Sequence, residues 1–101
     1  MPSPRDARRQ ANLQRRAVIT DAVRTFFKRA GYLEVETPVR IPAPAPEVHI
    51  DAQPSGDWFL QASPELCMKR MLAAGWEKIF QICRCFRRGE RGRFHLPEMT
   101  L

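Results

Sequence analysis

The sequence has few of the residues that build disulfide scaffolds, metal sites or membrane spans. It contains three cysteines and two histidines in 101 residues. An odd cysteine count argues against a disulfide framework, and Cys83 and Cys85 lack the second pair that a zinc site needs. No apolar run approaches the roughly 18 residues of a membrane-spanning helix, and no signal peptide is present. We therefore expect a cytoplasmic protein with reduced thiols, no membrane contact and no metal ligands of its own.

Acidic residues and lysine are also scarce. Eleven Asp and Glu residues oppose 17 basic residues, of which 14 are arginine, so the net charge is +6 and the pI is about 10.0. Such a surface attracts polyanions, including nucleic acid, nucleotide phosphates and acidic proteins. The planar guanidinium group also binds two phosphate oxygens at once, which the lysine ammonium cannot do. The composition therefore favours a phosphate-binding protein.

The apolar pattern predicts an α+β fold. Apolar residues recur every three or four positions over 8–30, which is typical of an amphipathic helix. Residues 1–7 show no periodicity and are expected to be frayed. Gly31 is placed to end the helix in the left-handed conformation. Residues 33–37 alternate apolar and acidic side chains, so they predict a strand that stops at Pro38.

The middle of the sequence contains many helix and strand breakers. Residues 41–57 hold four prolines and one glycine, which predicts an extended connector with at most one short strand around 48–50. A further strand is expected over 58–61. Residues 63–65, Ser-Pro-Glu, predict a helix start with Ser as the cap and Pro at the first helical position, and Gly75 predicts its end.

The last quarter of the sequence reads as an antiparallel hairpin. Residues 79–86 predict a buried strand, residues 87–93 a polar turn with two glycines, and residues 94–101 a returning strand. Cys83 and Cys85 would then point to the same face of the first strand, as small core residues.

The hairpin is rich in arginine, with five in the ten residues from Arg84 to Arg93. Arg87 would lie at the end of the first strand, beside the turn. A guanidinium held there could bind a phosphate and stabilise the charge that develops during reaction at phosphorus. An arginine-rich ribbon could equally bind RNA without catalysis, or be a solvated turn. The hairpin residues alone leave these interpretations open.

Three segments in order resemble the class II aminoacyl-tRNA synthetases. Residues 31–38, with the preceding helix, resemble motif 1, which would span about 17–38. Residues 63–66, with the basic pair at 69–70, look like the amino-acid-binding helix of the lysine branch. Residues 80–101 resemble motif 2. The resemblance implies a partial class II fold, with an antiparallel sheet and flanking helices over 1–101, and motif 3 absent.

The resemblance also implies the residues of an ATP site. Arg87 would be the catalytic residue and bind the α-phosphate of ATP. The ATP-binding set would also include Arg88, Gly89, Glu90 and His95. The family usually has Asn and Glu at positions 88 and 89, so Glu90 would replace that acid. The family's asparagine at position 96 is a leucine here, which cannot form a hydrogen bond with ATP.

Substrate and dimer residues follow from the same resemblance. Ser63, Pro64 and Glu65 would hold the substrate amino acid, with the Glu65 carboxylate on its ammonium group. The segment from Gly31 to Pro38 would belong to a homodimer interface.

The resemblance implies ATP-dependent activation of an amino acid as an adenylate. Motif 1 begins within about thirty residues of Met1, as in the short branch that transfers lysine or β-lysine to a lysine of elongation factor P in place of tRNA. ATP and Mg²⁺ would be required, with the metal ligands expected beyond Leu101, so we expect the chain alone to be inactive. Two alternatives stay open, a lysyl-tRNA synthetase fragment and a non-catalytic remnant that dimerises or binds polyanions.

Overall fold

The computed structural model of the chain describes residues 1, 3–43, 51–89 and 98–101. Within these residues there are two helices and seven short strands. They form two compact units, Met1–Glu34 and Val35–Leu101. The helices and antiparallel strand pairs agree with the predicted α+β class. The predicted short strand around 48–50 lies outside the described residues.

The first unit consists mainly of helix α1, Pro4–Arg29. Ser3 is its N-cap: the Ser3 hydroxyl accepts the Asp6 N–H at 3.1 Å, and the Asp6 carboxylate accepts the Ser3 N–H at 3.3 Å. This reciprocal capping satisfies donors at the helix start, and Pro4 fits the first helical position. The prediction that residues 1–7 are frayed was therefore wrong from Ser3 onward.

Gly31 ends α1 as predicted, with φ at +85°. The Tyr32 N–H donates to the Phe27 carbonyl at 2.9 Å, which is the long-range bond of a Schellman ending. Strand β1, Leu33–Glu34, follows, and it is shorter than the strand predicted over 33–37. The Arg24 Nε donates to the Glu34 carboxylate at 2.8 Å, so the strand end is tied to the helix.

The second unit begins with a three-stranded antiparallel sheet in the order β2-β4-β3. Its strands are β2, Arg40–Ile41, β3, Pro54–Ser55, and β4, Trp58–Leu60. Strand β4 was predicted, whereas β2 was missed and β3 lies in the expected connector. Pro54 is tolerated because β3 is an edge strand of this sheet. Gly56, at φ +62°, belongs to the two-residue turn between β3 and β4.

Helix α2, Glu65–Ala73, follows β4. The Ser63 hydroxyl accepts the Glu65 N–H at 3.2 Å, but Ser63 is not the N-cap that the sequence predicted, because it lies one residue before the N-cap. Pro64 is the N-cap residue rather than the first helical residue, which corrects the predicted start by one position. Gly75, at φ +108°, ends the helix as predicted.

The strand predicted over 79–86 is split into β5, Ile79–Phe80, and β6, Arg84–Phe86. The interruption coincides with side-chain pairing at Gln81. Its side-chain carbonyl accepts the Thr37 N–H at 2.9 Å, and its amide donates to the Thr37 hydroxyl at 2.9 Å. The first predicted strand also stops early, and its last predicted residue, Thr37, makes these side-chain bonds instead of strand pairing.

The antiparallel pairing predicted for the hairpin is confirmed, whereas residues 90–97 of its predicted turn and returning strand lie outside the described residues. Strand β7, Glu98–Thr100, pairs antiparallel with β6, and Cys85 lies opposite Met99. Six of the described residues are buried, and they form a small core: Ala52, Gln61, Pro64, Ile79, Phe80 and Cys85.

Candidate active site

Arg87 directly follows β6 and is fixed by its backbone neighbours. It forms an antiparallel bridge with Ala52, and the next residue, Arg88, donates its N–H to the Asp51 carbonyl at 2.8 Å. Gly89, at φ +75°, then begins the turn. The position predicted for Arg87, at a strand end beside the turn, is confirmed, and its Cα cannot move without breaking these contacts.

The Arg87 side chain is half-buried, and its Nε atom is fully buried. No hydrogen-bond partner for that atom exists among the described residues. A buried unpaired donor costs about 1–3 kcal/mol, and an oxygen of a phosphate or carboxylate would satisfy it. Arg87 therefore combines a fixed position with a free donor, as an anion-binding residue requires.

Gln61, at the end of β4, connects the parts of the site. It is 1% exposed. Its N–H donates to the Val39 carbonyl at 2.8 Å, its carbonyl accepts the Phe86 N–H at 2.8 Å, and its side-chain amide donates to the Arg84 carbonyl at 3.0 Å. Sequence reasoning assigned Gln61 only to a strand, because nothing in the local pattern shows that a glutamine is buried.

These hydrogen bonds place two predicted segments at the ends of joined strands. Arg87 follows Phe86 by one residue, and Ser63 follows Gln61 by two. Since the Phe86 N–H donates to the Gln61 carbonyl at 2.8 Å, the two segments are close to each other one residue before Arg87 and two residues before Ser63. Glu90 and His95, also predicted for the ATP site, lie outside the described residues.

Glu65 is exposed and already has a cationic partner. The Lys69 ammonium lies 2.7 Å from its carboxylate, one helical turn further along α2. The hydrogen bond and the charge of Lys69 lower the pKa of Glu65, so the carboxylate is ionised at neutral pH. Pro64 is buried and Ser63 is half-buried. The segment thus presents an ionised carboxylate that is paired with Lys69, and its contact with a substrate ammonium group stays a prediction.

A pocket of about 610 Å³ lies beside this segment. Among its lining residues are Ser63, Gln61, Trp58 and the arginines Arg40 and Arg70, and none of the described lining residues is acidic. The Arg40 guanidinium lies 5.1 Å from the centre of the Trp58 ring. The volume is in the range of small-molecule sites. Neither Arg87 nor Glu65 lines it.

The remaining predicted residues are placed as follows. Gly31 closes α1 in the first unit, and Pro38 is exposed in the second. Within the part of the chain that the structure describes, no three His, Cys, Asp or Glu side chains could together hold a metal ion. No helix there is long and apolar enough to cross a membrane.

A comparison with protein families gives one match, to the class II tRNA synthetases for aspartate, lysine and asparagine, over residues 3–101. The chain belongs to this family.

The relatives that this chain matches include several elongation factor P–(R)-β-lysine ligases. The chain is 45% identical over 101 residues to the one from Erwinia tasmaniensis, 46% to that from Pectobacterium atrosepticum and 42% to that from Pseudoalteromonas translucida. In each case the match covers 90% of this chain and 31% of the relative. The predicted resemblance to the lysine branch is confirmed, and the chain spans about a third of these relatives' length.

Proposed function

We propose that the chain is the N-terminal part of an ATP-dependent ligase that activates lysine or β-lysine and transfers it to a lysine of elongation factor P. Membership of the class II synthetase family and the names of the relatives support the reaction class. The single structural observation that carries the proposal is Arg87, held by backbone bonds on both sides with a buried Nε that has no partner among the described residues.

In the first step, a carboxylate oxygen of the amino acid attacks the α-phosphorus of ATP, and pyrophosphate leaves. Negative charge increases on the non-bridging oxygens of that phosphorus as the new bond forms. The Arg87 guanidinium would donate to one of these oxygens, and its fixed backbone keeps the cost of reorganisation low. Arg88, Gly89, Glu90 and His95 are proposed to contact the same nucleotide.

Glu65 and Ser63 are proposed to orient the amino acid for this attack. The ionised Glu65 carboxylate would accept a hydrogen bond from the substrate ammonium group after Lys69 moves away. The Ser63 hydroxyl accepts the Glu65 N–H, so its own proton remains available to donate. Pro64, buried beside them, holds the turn between β4 and α2.

In the second step, the ε-amine of an acceptor lysine attacks the acyl carbon of the adenylate, and AMP leaves. Mg²⁺ would supply charge neutralisation on the phosphates. The described residues offer no cluster of metal ligands, so we assign none among them. The match covers only 31% of the relative from Erwinia tasmaniensis, and we expect the 101-residue chain alone to show little or no catalysis.

ATP–pyrophosphate exchange with lysine and with (R)-β-lysine tests this proposal. Exchange should be absent in the chain alone and present in a full-length protein of which it is part. In that longer protein, Arg87→Ala should abolish exchange. Transfer of labelled β-lysine to elongation factor P, with no transfer to tRNA, would separate the proposal from a lysyl-tRNA synthetase. Robust exchange by the isolated chain would contradict the expected inactivity.

We also propose that α1 contributes to a homodimer, together with the segment from Gly31 to Pro38. Four apolar side chains of α1 are 63–69% exposed: Leu13, Val18, Ile19 and Phe26. Ile19 and Phe26 are seven residues apart and so lie on one face of the helix, where neighbouring exposed apolar side chains favour an interaction surface. Light scattering of the purified protein should give twice the monomer mass, and Phe26→Glu should reduce it to the monomer mass.

A non-catalytic polyanion-binding function is the second candidate, supported by the net charge of +6 and the exposed arginines of α1. Its affinity for RNA would fall steeply with salt and would change little with Arg87→Ala. A specific nucleotide site would instead lose most of its affinity with Arg87→Ala and would depend less on salt.

A further inference from the structure

Cys83 and Cys85 form a close pair of thiols in the hairpin. Their sulfur atoms are 3.8 Å apart. Cys85 is 0% exposed, and Cys83 is half-buried. Backbone hydrogen bonds hold both residues: Cys83 exchanges two bonds with Leu101, each 2.9 Å long, and Cys85 pairs with Met99. The pair is therefore part of a fixed strand rather than of a loose turn.

The distance between the sulfurs suits a bridging ion better than a disulfide. A disulfide needs an S–S distance of about 2.05 Å, and residues two apart in a strand have Cα atoms about 6.6–6.8 Å apart, at the upper limit of what a disulfide spans. A metal–thiolate bond is about 2.3 Å long, so an ion bonded to both sulfurs at the observed distance would have an S–metal–S angle of about 110°. An increase to about 4.6 Å would make that angle linear.

The number of ligands selects the kind of ion. A structural zinc site needs four protein ligands, and the described residues contain no group of three or more candidate ligands. Cu(I) is soft and prefers thiolates. With two thiolates its bond angle is close to linear, so the two sulfurs would separate from 3.8 Å to about 4.6 Å on binding. The alternation of side chains along a strand also puts residues 83, 85 and 87 on one face.

Charge also favours a monovalent ion. Two thiolates and Cu(I) together carry one negative charge. Burial raises the pKa of Cys85 to about 12, with Cys83 acting in the same direction, whereas the positive charge of Arg87 opposes this shift. The positive charge of Arg87 acts on the Cys85 thiol, so it would also partly offset the single negative charge of the bound complex.

We propose that Cys83 and Cys85 form a two-thiolate binding site for Cu(I). Binding breaks two S–H bonds, forms two Cu–S bonds and releases two protons to solvent, with no change in oxidation state. The ion would enter beside the half-buried Cys83, since Cys85 has no exposed surface. The site does not depend on nucleotide binding, so it can exist whether or not the proposed ligase function is correct.

Competition with the chromophoric chelator bicinchoninate tests the site, using the reduced, purified chain without oxygen. The chain should withdraw one equivalent of Cu(I) and release two protons, measured by titration in weak buffer. Cys83→Ser and Cys85→Ser should each weaken binding by at least about tenfold. Cys67→Ser is the matched control, because Cys67 is a half-buried thiol on α2, and it should bind Cu(I) like the unchanged chain.

The proposal is overturned if Cys83→Ser binds as tightly as the unchanged chain, if Cys67→Ser loses as much affinity as Cys83→Ser, or if only one proton is released. Cys85→Ser places a hydroxyl in a fully buried position, so circular dichroism must first show that it folds. If it does not, Cys83→Ser and the proton count decide the question.

Discussion

The carbonyl of Gln61 accepts the Phe86 N–H at 2.8 Å, and the Gln61 side-chain amide donates to the Arg84 carbonyl at 3.0 Å. One buried residue thus binds the strand that precedes Arg87 through both its backbone and its side chain. A substitution at position 61 removes only the side-chain bond to Arg84, because the backbone carbonyl that accepts the Phe86 N–H remains.

Substitutions of Gln61 should measure how much its side-chain amide contributes to the free energy of unfolding. Gln61→Ala should lower the free energy of unfolding by about 2–4 kcal/mol, since it removes the bond to Arg84 and leaves a cavity. Gln61→Met fills the space and also removes the buried Oε1, which has no partner among the described residues, so it should cost only about 1 kcal/mol. Urea unfolding measures both.

The control for this experiment is Gln53→Ala. Gln53 is half-buried and its backbone carbonyl accepts the Leu60 N–H, which the substitution preserves. We expect a change of less than about 0.5 kcal/mol. Equal losses for Gln53→Ala and Gln61→Ala would show that the Gln61 amide has no special contribution.

Arg87→Ala should weaken ATP binding, measured by calorimetry, by roughly 10- to 150-fold, the equivalent of one charge-assisted hydrogen bond. Arg84→Ala is the matched control, since Arg84 lies on the other face of the same strand and pairs with Glu98 at 2.9 Å with 58% of its side chain exposed. Its loss should leave ATP affinity almost unchanged. Similar losses for both variants would indicate general attraction of polyanions.

The pKa of Glu65 should respond to Lys69. Lys69 lowers this pKa in the folded protein, so its stabilising effect is present above the unfolded value of about 4.3 and is lost as the pH falls through the folded value. Lys69→Met should therefore raise the Glu65 pKa, as followed by NMR of the side-chain carboxyl. An unchanged titration would show that the ion pair does not persist in solution.

Cys85 should resist alkylation. Burial raises its pKa to about 12, so almost none of it is thiolate at pH 8. Iodoacetamide should modify Cys67 and Cys83, as mapped by peptide mass spectrometry, and should reach Cys85 only after urea is added. The same shift means that the free energy of unfolding should decrease as the pH rises above about 8.5, where the unfolded thiol loses its proton and the folded one keeps it.

The sequence predicted best what depends on single residues with strong local preferences. Gly31 and Gly75 end their helices because both adopt positive φ, and the hairpin was evident from its apolar strands and glycine-bearing turn. The start of α1 was readable in principle, since Ser3 and Asp6 have the spacing of a capping box. It was missed because the apolar periodicity begins only later.

Other features depend on contacts between distant parts of the chain. Strands β2 and β3 have two residues each, too few to show alternation, and a proline begins the second. Gln61 is buried because two distant segments, at Val39 and Phe86, form hydrogen bonds with its backbone. In the candidate active site, the resemblance identified Arg87 and Ser63, but it did not identify Gln61, which connects the segments that precede them.

The Lys69 ammonium at 2.7 Å from Glu65 has a consequence for substrate affinity under the proposed function. The Lys69 ammonium is the same kind of group as the substrate amine that Glu65 would bind, and Lys69 is on the same helix as Glu65. A tethered group is present at an effective concentration that is commonly millimolar. A free amino acid must therefore displace a built-in competitor, and the measured affinity for lysine would include the cost of releasing the chain's own lysine first.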